Sequence, residues 1–139
     1  MSSAHPYGPE SMADDLTTRA QTIIDANLYM TLATADEAGR PWPSPVYFAH
    51  DAYREFVWVS RPGAVHSRNI AARPQVGIVV FDSHAPISTG GGVYMSATAE
   101  ELLGEDRERA LTVFSARCVA HGGEVFGLDD VEAPAQLRI

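Results

Sequence analysis

Residues 56–82 read FVWVSRPGAVHSRNIAARPQVGIVVFD, and this stretch decides the fold. Phe56 and Trp58 alternate with Val57 and Val59, which predicts a strand. A tight loop at Pro62-Gly63 comes next, then a short helix over Val65–Ala72. Arg73-Pro74 ends that helix, because the residue before a proline is held out of helical space. Gln75 to Phe81 (QVGIVVF) is almost wholly apolar, the pattern of a buried strand. Around the loop and the helix start stand Ser60, Arg61, His66, Ser67 and Arg68. They bring two hydroxyls, an imidazole and two guanidiniums to backbone N–H groups that a first helical turn leaves unpaired. Such a set suits an anion, above all a phosphate.

Upstream, Leu16, Ala20, Ile23, Ile24 and Asn27 fall at i, i+4, i+7, i+8 and i+11, predicting an amphipathic helix over residues 12–26. Ser11 is its expected N-cap, with Asp14 three residues on, and residues 1–11 are expected to be a mobile tail. Tyr29 to Ala35 and Pro43 to His50 are two strands joined by the turn Asp36-Glu37-Ala38-Gly39. Pro43 and Pro45 cannot donate to a ladder, so the second strand belongs at an edge or a bulge. Asp51 to Arg54 turn the chain into a third strand, Glu55–Ser60.

Downstream, residues 84–92 form a loop ending in Gly90-Gly91-Gly92. Three glycines either permit close approach of a backbone or flat ligand, or make a loose connector. Val93 to Leu102 alternates as a fifth strand. Asp106 to Ala120 is a second long helix, with Ala110, Leu111, Phe114 and Cys118 on one face and Gly122 as its stop. Pro134 breaks the segment beyond that helix, and Gln136 to Ile139 read as the start of a strand cut short. Hairpin-sized connections make the sheet mostly antiparallel, and about six strands with few helices close into a small barrel. The expectation is one mainly β domain of the α+β class over residues 12–139.

The chain has 139 residues, 45% hydrophobic and 20% charged, which is enough for one core. No apolar run approaches a membrane span, and the first eleven residues lack the basic flank and apolar core of a signal peptide. The single Cys118 excludes an internal disulfide and fits a reducing cytoplasm. A net charge of -8 argues against nucleic acid as a partner. All ten basic residues are arginines. Schiff-base chemistry and a P-loop lysine are therefore excluded, and a bound anion must be held by Arg, His, hydroxyls or backbone.

Other residues weigh toward packing. The alternation that puts Trp58 beside Phe56 favours the core over stacking on a ligand, and Trp42, Met30 and Met95 are read likewise. Asn69 is a local backbone hydrogen-bonder, and Cys118 is a buried thiol. Asp82-Ser83-His84 has the letters of a hydrolase triad, but adjacent residues cannot chain their side chains in series. The five histidines show no metal-ligand spacing.

Taken together, TLATADEAGRPWPSPVYF, then FVWVSRPGAVHSRNIAARPQVGIVVFD, then GGVYMSATAEEL resemble the pyridoxamine 5'-phosphate oxidase-like proteins, the FMN-binding split barrels. The resemblance covers residues 26–102. It implies a six-stranded antiparallel split β-barrel with flanking helices, forming a homodimer with FMN at each of two interface sites. It places the flavin phosphate on Ser60, Arg61, His66, Ser67 and Arg68. It lays the isoalloxazine edge along Ser44 to Tyr47 (Ser44, Val46 and Tyr47 being named contacts), mainly through backbone groups. The partner's Gly90–Val93 loop, with Gly91 and Gly92, would cover the ring. Two departures stand out. His66, a pH-dependent cation, occupies the position nearest the family's phosphate lysine, and the chain stops at Ile139 where a further strand would begin. No second basic cluster awaits a substrate phosphate, which argues against pyridoxamine phosphate oxidase activity itself. The expectation is an FMN-dependent oxidoreductase without a named catalytic side chain. A deazaflavin- or haem-binding protein, or a cofactor-less binding module, is the alternative on the same fold.

Overall fold

The computed structural model describes residues 9–124 and residue 127. The expected terminal strand at residues 136–139, and the break at Pro134, lie outside the described residues. Three helices and six strands run in the order α1 (Pro9–Ala26), β1 (Tyr29–Ala35), β2 (Pro41–Tyr47), β3 (Ala49–Asp51), β4 (Glu55–Val57), α2 (Val65–Ala72), β5 (Gln75–Phe81), β6 (Gly92–Thr98) and α3 (Gly104–Ala120). Helix α1 begins three residues earlier than expected. Its first residue is a proline, tolerated where the N–H would have no partner anyway, and Ser11 therefore lies inside the helix instead of capping it.

Four strands form one antiparallel sheet in the order β2-β1-β5-β6, and β3 and β4 form a separate hairpin. The register sets Met30 opposite Val46, and Leu32 opposite both Ser44 and Ile78. With period-two alternation this gathers Met30, Leu32, Val46, Val76, Ile78 and Val80 on one buried face. The strand expected from Pro43 to His50 is two strands, parted at Phe48. There the chain leaves one sheet for the other, and the fully buried Phe48 ring fills the corner.

Two cores result. The larger lies between the inner sheet face and Ile24 of α1, with Phe56 and Trp58 packed against it. The smaller joins Ala49 and Val57 to Ala110, Leu111, Phe114 and Cys118 of α3, with Val59 alongside. The strand expected over Glu55–Ser60 ends at Val57, but the alternation of residues 56–59 still serves two cores on opposite sides of one segment. The hairpin tip carries Ala52 and Tyr53 at φ 51° and 58°, a backbone region that side chains disfavour. Tyr53 is held there from several directions. Its N–H donates to His50 Nδ1 (3.1 Å), its hydroxyl donates to Asp25 of α1, and its ring stacks on His50. Burial alone would push the Asp25 carboxyl up, but hydrogen bonds from Tyr53 and His50 and the charge of Arg117 bring it below the usual carboxylate range.

Arg117 of α3 ties the layers together by donating to the carbonyls of Phe48 and Asn27. Gly122, at φ 84°, ends α3 as expected. Among the described residues no helix is long and apolar enough to cross a membrane.

Candidate functional site

The end of β4 and the start of α2 converge as the sequence predicts. Trp58 and Val59 carry the chain on to Ser60. The turn closed by the Ala64 N–H on the Arg61 carbonyl (3.1 Å) then reverses it into α2. Ser60 Oγ and Ser67 Oγ come to 3.1 Å from each other. The residue before α2 is Ala64, which offers no side-chain cap, so Ala64 satisfies none of the first-turn N–H groups through a side chain. Ser60, Ser67 and Arg68 line one wall of a cleft of about 510 Å³, floored by Trp58 and Ile70. That is a size typical of cofactor sites.

Charge is segregated around this cleft. No Asp or Glu occurs between Glu55 and Asp82, while Arg61, Arg68 and Arg73 do. In a chain of net charge -8 this stretch of sequence is locally basic. Arg61 and Arg68 are exposed, and among the described residues neither has a carboxylate within ion-pair distance. Opposite them the cleft is walled by Glu100 and Glu101, the latter drawn toward Arg107 at 3.6 Å. Nothing in the local sequence announced that acidic wall, because its residues lie more than thirty positions beyond the cradle.

Helix α2 is anchored by Asn69, which is buried and donates through Nδ2 to Thr34 Oγ1 of β1 at 3.0 Å. Thr34 in turn donates to the Trp42 carbonyl at 3.2 Å. The expected local role of Asn69 is thus replaced by a bond across elements, although its own carbonyl does accept from the Arg73 N–H. His66 lies three and four residues before Asn69 and Ile70, on the helix face that meets the sheet. Its Nε2 is buried without a partner, and burial pushes its pKa below the ordinary value. The imidazole is not among the residues lining the cleft, so Ser60, Ser67 and Arg68 converge without it.

The remaining expected contacts fall elsewhere. Ser44 and Val46 point into the core. Tyr47 turns the other way, edge-on to Phe114 of α3, with its hydroxyl 2.7 Å from His121 Nδ1. No residue of β2 lines the cleft, and β2 is an edge strand of its sheet, as its prolines foretold. Gly91 and Gly92 lie away from the cradle, where a Cβ on Gly91 would sit 3.0 Å from the Arg19 guanidinium of α1. Asp82-Ser83-His84 is a turn, with the His84 N–H donating to Asp82 Oδ1 at 2.9 Å.

The donors on the cleft wall fit a phosphate monoester: two hydroxyls, a guanidinium and uncapped helix N–H groups. The same donors would accept a propionate. For haem iron, His66 Nε2 is a buried nitrogen without a hydrogen-bond partner, although its ring does not line the cleft.

Comparison with known proteins places this architecture. The family model for pyridoxamine 5'-phosphate oxidase matches residues 16–138. A search of curated proteins finds no match. Among solved structures, a haem-binding protein from Mycobacterium smegmatis is similar at TM-score 0.67 and 22% identity, over 86% of this chain and 47% of that one. The chain thus spans about half the length of that relative. The haem storage protein HutZ from Vibrio cholerae is similar at TM-score 0.66 and 20% identity, over 73% and 75% of the two chains. An FAD-binding protein from Mesorhizobium loti is similar at 0.59 and 24%, over 76% and 78%. At these identities the likeness is one of fold.

Proposed function

We propose that this chain, which belongs to the pyridoxamine 5'-phosphate oxidase family, binds FMN by its phosphate at Ser60, Ser67 and Arg68 and serves as a flavin-dependent oxidoreductase in the cytoplasm. One observation carries the reading: an uncapped helix N-terminus, two paired serines and an unpaired arginine share a cofactor-sized cleft. Bound FMN would supply the hydride or electron transfer. The residues of the chain bind and orient. Ser60 and Ser67 donate to phosphate oxygens, Arg68 neutralises their charge, and Asn69 fixes the helix that presents them. Arg61, expected on the phosphate, is exposed and does not line the cleft.

We further propose that the six strands close into a split barrel and that two copies pair. The outer sheet face supports pairing, because Tyr29, Phe81 and Tyr94 are each at least half exposed there. In the pair, the loop carrying Gly91 and Gly92 would reach the partner's flavin, which accounts for its distance from the cradle of its own chain.

The deciding measurement is the absorbance spectrum of the purified protein, then titration with FMN. Yellow protein that releases flavin on denaturation supports the reading. Colourless protein that takes up no FMN overturns it. A Soret band as isolated or on adding haemin would support haem instead, the reading favoured by the two haem-protein folds and the orphaned His66 nitrogen. A reducible deazaflavin complex would point to that cofactor.

A further inference from the structure

A phosphate on Ser60, Ser67 and Arg68 leaves the acidic side of the same cleft, Glu100 and Glu101, without a role. Glu101 is drawn to Arg107 at 3.6 Å. Glu100 is exposed, and among the described residues no cation lies within ion-pair distance of it. An ionised carboxylate has acceptor atoms only, so Glu100 calls for hydrogen-bond donors from whatever the phosphate is attached to. A second anion there would be repelled. A plain alkyl chain would strip water from the carboxylate and return no hydrogen bond. An ammonium group would meet Arg68, a like charge on the same lining. Hydroxyl groups donate without adding charge, and the carbons that carry them can pack on Trp58 and Ala99 of the same cleft.

We infer that Glu100 determines specificity by accepting hydrogen bonds from hydroxyl groups close to the phosphate, so that the cleft selects a phosphate monoester of a polyhydroxylated carbon chain. The inference rests on the phosphate cradle of the reading above, and in FMN the chain is the ribityl group. Discrimination follows from what the wrong ligand leaves behind. An ester without hydroxyls covers a charged acceptor that it cannot satisfy, and a site built to hydrogen-bond hydroxyls rejects an analogue that lacks them.

Titration of the wild-type protein, Glu100→Ala and Glu100→Gln, followed by heteronuclear NMR so that weak binding is read, tests this. The probes are ribitol phosphate, pentyl phosphate, aminoethyl phosphate and FMN. The wild type should bind ribitol phosphate about tenfold more tightly than pentyl phosphate, the scale of hydrogen bonds to a charged group. Glu100→Ala should remove most of that preference by weakening ribitol phosphate and FMN, with pentyl phosphate bound as tightly as before or more so. Glu100→Gln, which keeps an acceptor oxygen, should retain part of it. Equal binding of the ribitol and pentyl esters by the wild type overturns the inference, and so does a preference that survives Glu100→Ala. Tightest binding of aminoethyl phosphate also overturns it, because Glu100 would then be reading a cation. Ribitol phosphate bound with the expected preference while FMN is refused overturns the flavin reading alone. Refusal of every phosphate ester overturns both.

Discussion

Arg68 and the two serines would hold a phosphate in different ways. The hydroxyls donate through fixed oxygens 3.1 Å apart, whereas the guanidinium supplies charge from an exposed helix position. Charge-assisted hydrogen bonds contribute about 1.5–3 kcal/mol, so Arg68→Ala should weaken FMN by about tenfold or more. Riboflavin, which lacks the phosphate, should bind the variant as it binds the wild type; parallel titrations of the two ligands check this. His66 does not line the cleft, and its expected effect is on stability. Burial lowers its pKa below the ordinary 6.5 in the folded state, so below 6.5 the unfolded chain binds the proton more readily. Its contribution is therefore full above that value and is lost as pH falls through the folded pKa. Thermal melts should show Tm falling as pH drops below the ordinary histidine value of 6.5. His66→Phe should flatten that fall; an unchanged slope would assign it to other groups.

Helix α2 acts as a unit because of one buried bond. Asn69 Nδ2 to Thr34 Oγ1, continued to the Trp42 carbonyl, fastens the helix to both β1 and β2. Removing Asn69 leaves Thr34 without its donor in a dry site, so Asn69→Ala should cost about 1–3 kcal/mol in denaturant unfolding. Thr34→Val made together with Asn69→Ala should cost less than the sum of the two, since they share the bond. The same helix shows how far elements are legible in sequence. Proline and length set its bounds, Val65–Ala72, to the residue. The end of β2 is not legible in that way, because the break falls at Phe48, an apolar residue inside an apolar run. Only the demand of the core for that ring moves the chain to the second sheet.

At the scale of the molecule, the outer sheet face is the unfinished surface. Tyr94 is 82% exposed, at the centre of a shallow groove with Thr31, Ala33 and Val79. A stable pair buries roughly 1,200–2,000 Å², and a carboxylate in its midst would face an apolar partner. Tyr94→Glu should therefore shift the protein to monomer in sedimentation and lower FMN affinity with it. A variant that remains dimeric would place the interface elsewhere.

Legible in the residues alone were the three helices, the edge position of β2, the two-sided packing of residues 56–59, and the meeting of Ser60, Ser67 and Arg68. Each of these is local: periodicity, proline geometry and the unpaired amides of a helix start act within a few residues. Folding was needed to show that His66 Nε2 is buried without a partner, that Asn69 bonds to Thr34, and that Glu100 and Glu101 line the cleft of the cradle. Those facts depend on which distant segments are brought together, and burial and charge at such meetings are set by the packed chain, not by any neighbourhood in the sequence.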